Sequence, residues 1–189
     1  RAMPAVVSTR VLASGAKFDF VEAIVRRDDA PEGRSGEHTR QFIRHPGAVV
    51  IVPILNDGRV ALIRSFRASV NREIYELPAG TLEKDEPPAT TAGRELIEET
   101  GYRADRIDSL GAFLTSPGLS DETMHAFVAR GLTHVGQALE DNEDIQVERV
   151  PVGDALAMLD DGRLADAKSM LALLLALRRG FLHPGGADA

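Results

Sequence analysis

Three glutamates, Glu95, Glu98 and Glu99, occupy the segment "PATTAGRELIEET" at spacings i, i+3 and i+4. On an α-helix this spacing places all three carboxylates on one face, with Cβ atoms about 5–6 Å apart. Carboxylate oxygens are the ligands that hard divalent ions such as Mg²⁺ and Mn²⁺ prefer. Two hypotheses follow, a solvated acidic face or a cation site at which bound metal neutralises a diphosphate and activates a water.

The same segment carries the terminal signals of a helix. Pro88 suits a helix start, where its missing N–H would have no partner in any case. Gly101 is the residue type that most often ends a helix, because it adopts positive φ without strain. Ala92 and Leu96 point to a face different from that of the glutamates and can anchor the helix. The sequence predicts a helix from about Pro88 to Thr100.

The acidic segment is the end of a longer pattern. Gly80 is followed by five residues and Glu86, and seven further residues lead to "RELIEETGY". This matches every fixed position of the Nudix box, G-x5-E-x7-R-E-U-x-E-E-x-G-U, in which U is an apolar residue and is filled here by Leu96 and Tyr102. The chain therefore resembles the Nudix hydrolases, which cleave a nucleoside diphosphate linked to another group.

The resemblance implies a loop, a helix and a second loop that hold Mg²⁺ or Mn²⁺, with two or three ions in each site. An ion pair between Arg94 and Glu86 is expected to brace the loop. The implied metal ligands are one backbone carbonyl and three side chains, those of Ala79, Glu95, Glu98 and Glu99.

Two features outside the box narrow the resemblance. Pro117 lies sixteen residues beyond Gly101, within "TSPGLSDETMHAFVA", and Glu122 falls at the acidic position of an S-P-G-x-x-x-E loop. Upstream, the stretch from "HPGAVVIVPIL" to "REIYELPAG" also resembles ADP-ribose pyrophosphatases, so that the likeness covers roughly Arg40 to Leu177. It implies metal-dependent hydrolysis of ADP-ribose or related ADP-sugars to AMP and a sugar phosphate.

Candidate substrate contacts come from the same resemblance. Arg67 matches an arginine that the subgroup places near its substrate, and a guanidinium can bind two phosphate oxygens at once. Glu76 and Glu83 flank the loop before the helix and can contact substrate or support the metal ligands, and Gly118 belongs to the S-P-G loop.

The catalytic base has several candidates. Glu122 is the first choice, because a mobile loop can bring its carboxylate over the reacting water only when substrate is bound. Glu143, in the acidic loop "EDNEDIQV", is the second choice. Glu98 or Glu99 can also serve, as in other Nudix members.

The pattern of strands and helices indicates a mixed α+β or α/β sandwich. The resemblance implies an α+β fold, the α/β/α Nudix sandwich with a mixed sheet, together with a small N-terminal antiparallel β domain. The expected domains are an N-terminal β-meander at 1–44, a hydrolase domain at 45–182 and a disordered tail at 183–189, with a loop at 26–38. Related enzymes pair or swap such a meander across a homodimer. Phe18 and Phe20 are expected in the core, as is one stripe of the last helix: Met170, Leu173, Leu174 and Leu177.

Composition limits the class of partner. A net charge of −7 argues against general nucleic-acid binding, and no apolar run approaches the roughly 20 residues of a membrane span. The absence of cysteine excludes disulfides and thiolate metal sites and fits a cytoplasmic protein. We expect a small nucleoside diphosphate compound as the ligand, with neither nucleic acid nor membrane as a partner.

Two alternatives stay open from the sequence. The box handles only the diphosphate, so another nucleotide-sugar hydrolase, such as one for GDP-mannose, or a dinucleoside polyphosphate hydrolase would carry it too. A non-catalytic sensor of ADP-ribose belongs to a different class, but such regulators generally have a degraded box and an attached DNA-binding domain.

Overall fold

The computed structural model describes residues 3–29, 36–141 and 143–184. The chain divides into two compact units, one of residues up to Gly47 together with Leu114–Thr123, and one of Ala48–Phe113 with the residues from Met124 onward. The loop expected at 26–38 and the tail expected at 183–189 fall partly outside the described residues.

The N-terminal unit contains an antiparallel sheet in the order β1-β2-β3, formed by β1 (Ala5–Ser14), β2 (Asp19–Arg26) and β3 (Glu37–Arg44). Val21 on the central strand is buried, but β1 is exposed along its whole length. Phe18 and Phe20 are 50% and 38% exposed, so the prediction that they belong to the core of the chain is wrong.

The described residues of the second unit form two sheets and three helices. The elements are β4 (Ala48–Pro53), β5 (Val60–Arg67), β6 (Arg72–Glu76), β7 (Ala79–Thr81), α1 (Pro88–Thr100), β8 (Tyr102–Leu114), β9 (Thr123–His134), β10 (Ile145–Val150), α2 (Val152–Asp160) and α3 (Ala167–Arg178). One sheet has the order β7-β4-β9-β8, with β4 parallel to β9 and antiparallel to β7, and the other has the antiparallel order β10-β5-β6. No described helix has the length and hydropathy of a membrane span.

Strand β4 is buried on both faces and organises the core. Successive side chains of a strand point to opposite faces. Val50 and Val52 pack in a cluster with apolar residues of α2 and α3, while Val49 and Ile51 pack in a second cluster with Ala92 and Leu96 of α1. Helices therefore cover both faces of a mixed sheet, and the predicted sandwich is confirmed.

Helix α1 has the predicted bounds. Pro87 precedes it in extended conformation, and Pro88 occupies the first turn. At the other end Gly101 has φ of 72°, and its N–H donates to the carbonyl of Ile97 at 2.8 Å. The Gly101 carbonyl in turn accepts from the N–H of Val135 at 2.7 Å, which ties the end of the helix to the segment after β9.

The buried stripe of α3 differs from the predicted one. Leu173 is buried as expected, but Leu174 is 45% exposed. Met170 and Leu177 are partly buried and pack against the core, as predicted. The fully buried residues of the helix are Ser169, Ala172, Leu173 and Ala176. The small side chains of the two alanines allow a close approach to β4, and Ser169 turns inward because its hydroxyl accepts the N–H of Leu77 at 2.7 Å.

We expect Gly101→Ala to lower the free energy of unfolding by about 3 kcal/mol, since a side chain in left-handed conformation costs about 1–2 kcal/mol and crowding adds to it. The added Cβ would lie 2.8 Å from the backbone N of Gln137 and from the carbonyl carbon of Gly136. Gly162→Ala is the matched control, because Gly162 has φ of 79° but an added Cβ meets nothing within 4 Å. Equal losses in urea denaturation of the two variants would contradict the packing at Gly101.

Candidate active site

Gly80 makes room for the first glutamate of α1. It lies on β7, opposite Val49 of β4, and α1 packs against both strands. A Cβ at Gly80 would lie 1.9 Å from Cδ of Glu95 and 2.0 Å from its Oε1. The Glu95 carboxyl group therefore lies directly against the backbone of β7, in space that any side chain at Gly80 would fill.

Glu99 is the most deeply buried of the three glutamates, with 5% exposure. Its Oε2 accepts a hydrogen bond from the backbone N–H of Ala79 at 2.8 Å. Burial raises the pKa of Glu99 to about 8; the Ala79 hydrogen bond and the charge of Arg67 oppose the rise, while the charges of Glu95 and Glu143 add to it. The ionised form of this carboxyl group is thus incompletely compensated by its neighbours and is disfavoured in the absence of a further positive charge.

Arg94 is the counter-charge of the acidic face. Its terminal nitrogens lie 3.2 Å from Glu86, 2.9 Å from Glu95 and 2.8 Å from Glu98. The expected ion pair with Glu86 is therefore present, and the hydroxyl of Thr91 donates to the same Glu86 oxygen at 2.8 Å. Arg94 and then Thr91 hold the pKa of Glu86 below its ordinary value.

The donor set of this face suits a hard divalent cation. It consists of carboxylate oxygens close to a strand backbone, and burial raises the pKa of Glu95 as well as that of Glu99. Among the described residues, no three acidic or histidine side chains converge closely enough to hold an ion as they stand. The reason is visible on α1, since Arg94 engages Glu95 and Glu98 while Glu99 faces the amide of Ala79.

Glu143, the second candidate base, lies in the loop before β10. Its carboxylate accepts the backbone N–H of Glu140 at 3.0 Å, and its own N–H donates to the Glu140 carbonyl at 3.0 Å. Its charge contributes to the raised pKa of both Glu95 and Glu99. The acidic loop thus adds a further carboxylate to the electrostatic environment of α1.

The candidate substrate residues of the second unit lie in different environments. Arg67, at the end of β5, donates from Nε to Oε2 of Glu76 at 2.7 Å, and the Glu76 side chain is 2% exposed. The Glu83 side chain is 71% exposed and lies 3.9 Å from Arg94. Sequence reasoning missed Lys168, whose Nζ lies 2.6 Å from Oε1 of Glu76. The one available signal was the pattern Asp-x-Lys-Ser at the start of α3.

Glu122 and Gly118 belong to the N-terminal unit. The hydroxyl of Thr115 donates to Oε2 of Glu122 at 2.5 Å, and Nδ1 of His45 lies 3.7 Å from its Oε1. The Glu122 carboxylate is therefore oriented within its own unit. Gly118 is exposed, and a Cβ there would meet nothing within 4 Å.

A family model described as the NUDIX domain matches residues 44–173. The match covers more than half of the chain and includes α1, the loop before it and the acidic loop before β10. The chain belongs to the NUDIX family. Nudix hydrolases generally use divalent metal ions, which agrees with the oxygen donors of α1.

Two curated relatives are similar over most of their length. The chain is 37% identical over 155 residues to an ADP-ribose pyrophosphatase of Bacillus subtilis (strain 168), covering 81% of this chain and 83% of the relative. It is 33% identical over 187 residues to an ADP-ribose pyrophosphatase of Mycobacterium tuberculosis (strain ATCC 25618 / H37Rv), covering 96% and 88%. A crystal structure of an ADP compounds hydrolase matches with a TM-score of 0.78 at 22% identity, covering 94% of each chain, and supports the fold.

We expect Gly80→Ala to weaken Mn²⁺ binding roughly tenfold or more, because the added methyl group displaces the Glu95 carboxyl group. The fold should survive within about 1 kcal/mol, since the displaced atoms are the end of a flexible side chain. Calorimetric titration with Mn²⁺ measures the first quantity and urea denaturation the second.

Gly93→Ala is the matched control for Gly80→Ala. An added Cβ at Gly93 approaches only Cδ1 of Ile107, at an ordinary 3.5 Å. This variant should keep its Mn²⁺ affinity and gain about 0.5–1 kcal/mol from the higher helix propensity of alanine. Unchanged Mn²⁺ affinity in Gly80→Ala would contradict the role given to the space beside Glu95.

Proposed function

We propose that the protein hydrolyses the diphosphate of ADP-ribose or a related ADP-sugar, yielding AMP and a sugar phosphate. The observation that carries the proposal is the face of α1, where buried Glu99 and partly buried Glu95 lie beside β7 and their surroundings raise the pKa of both. The names of the two curated relatives support the choice of substrate.

The side chains of the second unit have two proposed roles, metal binding and phosphate binding. Glu95, Glu98, Glu99 and the carbonyl of Ala79 would hold Mg²⁺ or Mn²⁺, two or three ions in all, which when bound neutralise the diphosphate and activate a water. Arg67, at the end of β5, would bind phosphate oxygens of the substrate with its planar guanidinium group. Glu83, and Gly118 of the N-terminal unit, remain candidate contacts for the rest of the substrate.

Glu122 is our first candidate for the base that takes the proton from the attacking water. Thr115 orients its carboxylate, and His45 lies 3.7 Å from the other oxygen, so the group is not a freely rotating surface acid. Glu143 is the second candidate, supported by its effect on the pKa of Glu95 and Glu99. Glu98 and Glu99 are the remaining ones.

We further propose that the active form is a homodimer in which the N-terminal sheet meets its counterpart. Among the residues that the structure describes, the sheet and the segments beside it carry exposed large apolar side chains: Met3, Val6, Val7, Val11, Leu12, Phe18 and Phe20. Strand β1 lies at the edge of its sheet, and edge strands readily pair with another chain. The cytoplasm stays our expectation for where the protein works.

A panel of nucleoside diphosphate compounds, assayed with Mg²⁺, tests the proposed reaction. We expect ADP-ribose among the best substrates. We also expect Glu99→Gln to lower kcat/KM by roughly 100-fold or more, because it removes a ligand of the metal ion that would stabilise the charge of the transition state. Glu73→Gln, at a half-exposed glutamate of β6 that lies 3.6 Å from Arg64, is the matched control and should retain activity. Preference for GDP-mannose or a dinucleoside polyphosphate would reassign the substrate, and binding of ADP-ribose without cleavage would indicate a sensor.

Paired variants distinguish the candidate bases. We expect Glu122→Gln to lower kcat by about 100-fold, the usual range for loss of a general base, while Mn²⁺ affinity stays within a factor of two or so. Glu143→Gln, the same change in the acidic loop, should affect kcat less. The reverse order in single-turnover measurements would move the base role to Glu143, and unchanged kcat in both would move it to α1.

A further inference from the structure

Glu76 is a buried carboxylate held between two cationic side chains. Its Oε2 accepts from Nε of Arg67 at 2.7 Å, and its Oε1 accepts from Nζ of Lys168 at 2.6 Å. The side chain of Glu76 is 2% exposed and that of Lys168 is 16% exposed, while the side chain of Arg67 is 42% exposed. The network therefore runs from the interior outward and ends at Arg67.

The inner end of the network is fixed by the start of α3. Asp166 caps this helix, accepting the N–H of Ser169 at 3.0 Å, and the same oxygen accepts from Nζ of Lys168 at 2.9 Å. The hydroxyl of Ser169 accepts the N–H of Leu77, the residue that follows Glu76. Helix α3 thus holds both the backbone next to Glu76 and the ammonium that pairs with it.

The outer end of the network leaves part of Arg67 available. Within the described part of the chain, the bond from Nε is the one hydrogen bond that the Arg67 side chain donates. The guanidinium is planar, so a fixed Nε–H sets the direction of the two terminal amino groups. Glu76 lies three residues before Ala79, whose N–H donates to Glu99, and β5 packs against α1, so Arg67 lies on the same side of the fold as the acidic helix.

We propose that Lys168, acting through Glu76, is a positioning residue that directs the terminal amino groups of Arg67 toward a nucleoside diphosphate bound at α1. The proposal rests on the proposed function. With Lys168 in place, each oxygen of Glu76 has one cationic partner. Without it, Oε1 would be buried and unpaired, and a carboxylate in that state draws the second bond from the nearest donor. The guanidinium of Arg67, already bonded to Oε2 through Nε, can supply that bond from a terminal amino group, which would then turn inward, away from substrate.

A double-mutant cycle with Lys168→Met and Arg67→Ala tests this inference, since methionine keeps the length of the stem and removes the charge. The readouts are KM for ADP-ribose and the calorimetric affinity for its non-hydrolysable α,β-methylene analogue. We expect Lys168→Met to weaken both about tenfold in the presence of Arg67 and less than about twofold in Arg67→Ala, because coupled residues are not additive. Lys17→Met, at an exposed lysine of the N-terminal unit, should change neither quantity.

Each outcome separates the two proposals. If Lys168→Met weakens analogue binding equally with and without Arg67, the role of Lys168 is purely structural and the inference is overturned. Hydrolysis of ADP-ribose by the wild type would in that case leave the proposed function intact. If the two variants show coupled losses of analogue binding but the wild type cleaves no ADP-sugar, the inference is supported and the proposed function is overturned. Lys168→Gln replaces Lys168→Met should the latter not fold, as judged by circular dichroism, with the same pattern expected.

Discussion

The burial of the Glu99 carboxylate beside other acidic side chains is the constraint on which the site depends. An ionised carboxylate loses its hydration on burial, and the single N–H of Ala79 restores only part of it. The glutamate cannot turn away, because Leu96 and Ala92 fix the orientation of α1 in the core. Ionisation of Glu99 alone is therefore unfavourable in this fold, and a bound cation would relieve that electrostatic cost.

Arg94 explains how the fold tolerates this face before a cation binds. Its guanidinium contacts Glu95 and Glu98 at once, so repulsion along α1 is offset by one side chain. Glu86, whose carboxylate also accepts from the hydroxyl of Thr91, pairs with Arg94 on the other side, and this ion pair is the structural role of the distant glutamate of the motif. If a cation takes over Glu95 and Glu98, Arg94 keeps a partner in Glu86 and does not become an unpaired charge.

Local signals allowed α1 to be predicted from the sequence, and long-range contacts account for what was missed. Pro88 and Gly101 mark the ends of α1 within the chain itself, and the spacing of the box determines which side chains share a face. The prediction that Leu174 belongs to the buried stripe of α3 was wrong, because Ser169 must face inward to accept the N–H of Leu77, a residue 92 positions away. Lys168 was missed for the same reason. The exposure of Phe20 was missed because strand alternation does not reveal what covers a face.

The network at Glu76 is better understood as a device for orientation than as a source of stability. Buried ion pairs often contribute little to folding, because the loss of hydration cancels most of their attraction. The network at Glu76 nevertheless includes three charged side chains and the capping residue of α3. It ends at half-exposed Arg67, whose terminal amino groups donate no hydrogen bond within the described residues. An arginine already held in one direction loses less conformational entropy when it binds a phosphate. The burial of Glu76 and Lys168 is unfavourable for hydration, and its functional consequence is that Arg67 is held in a fixed position beside α1.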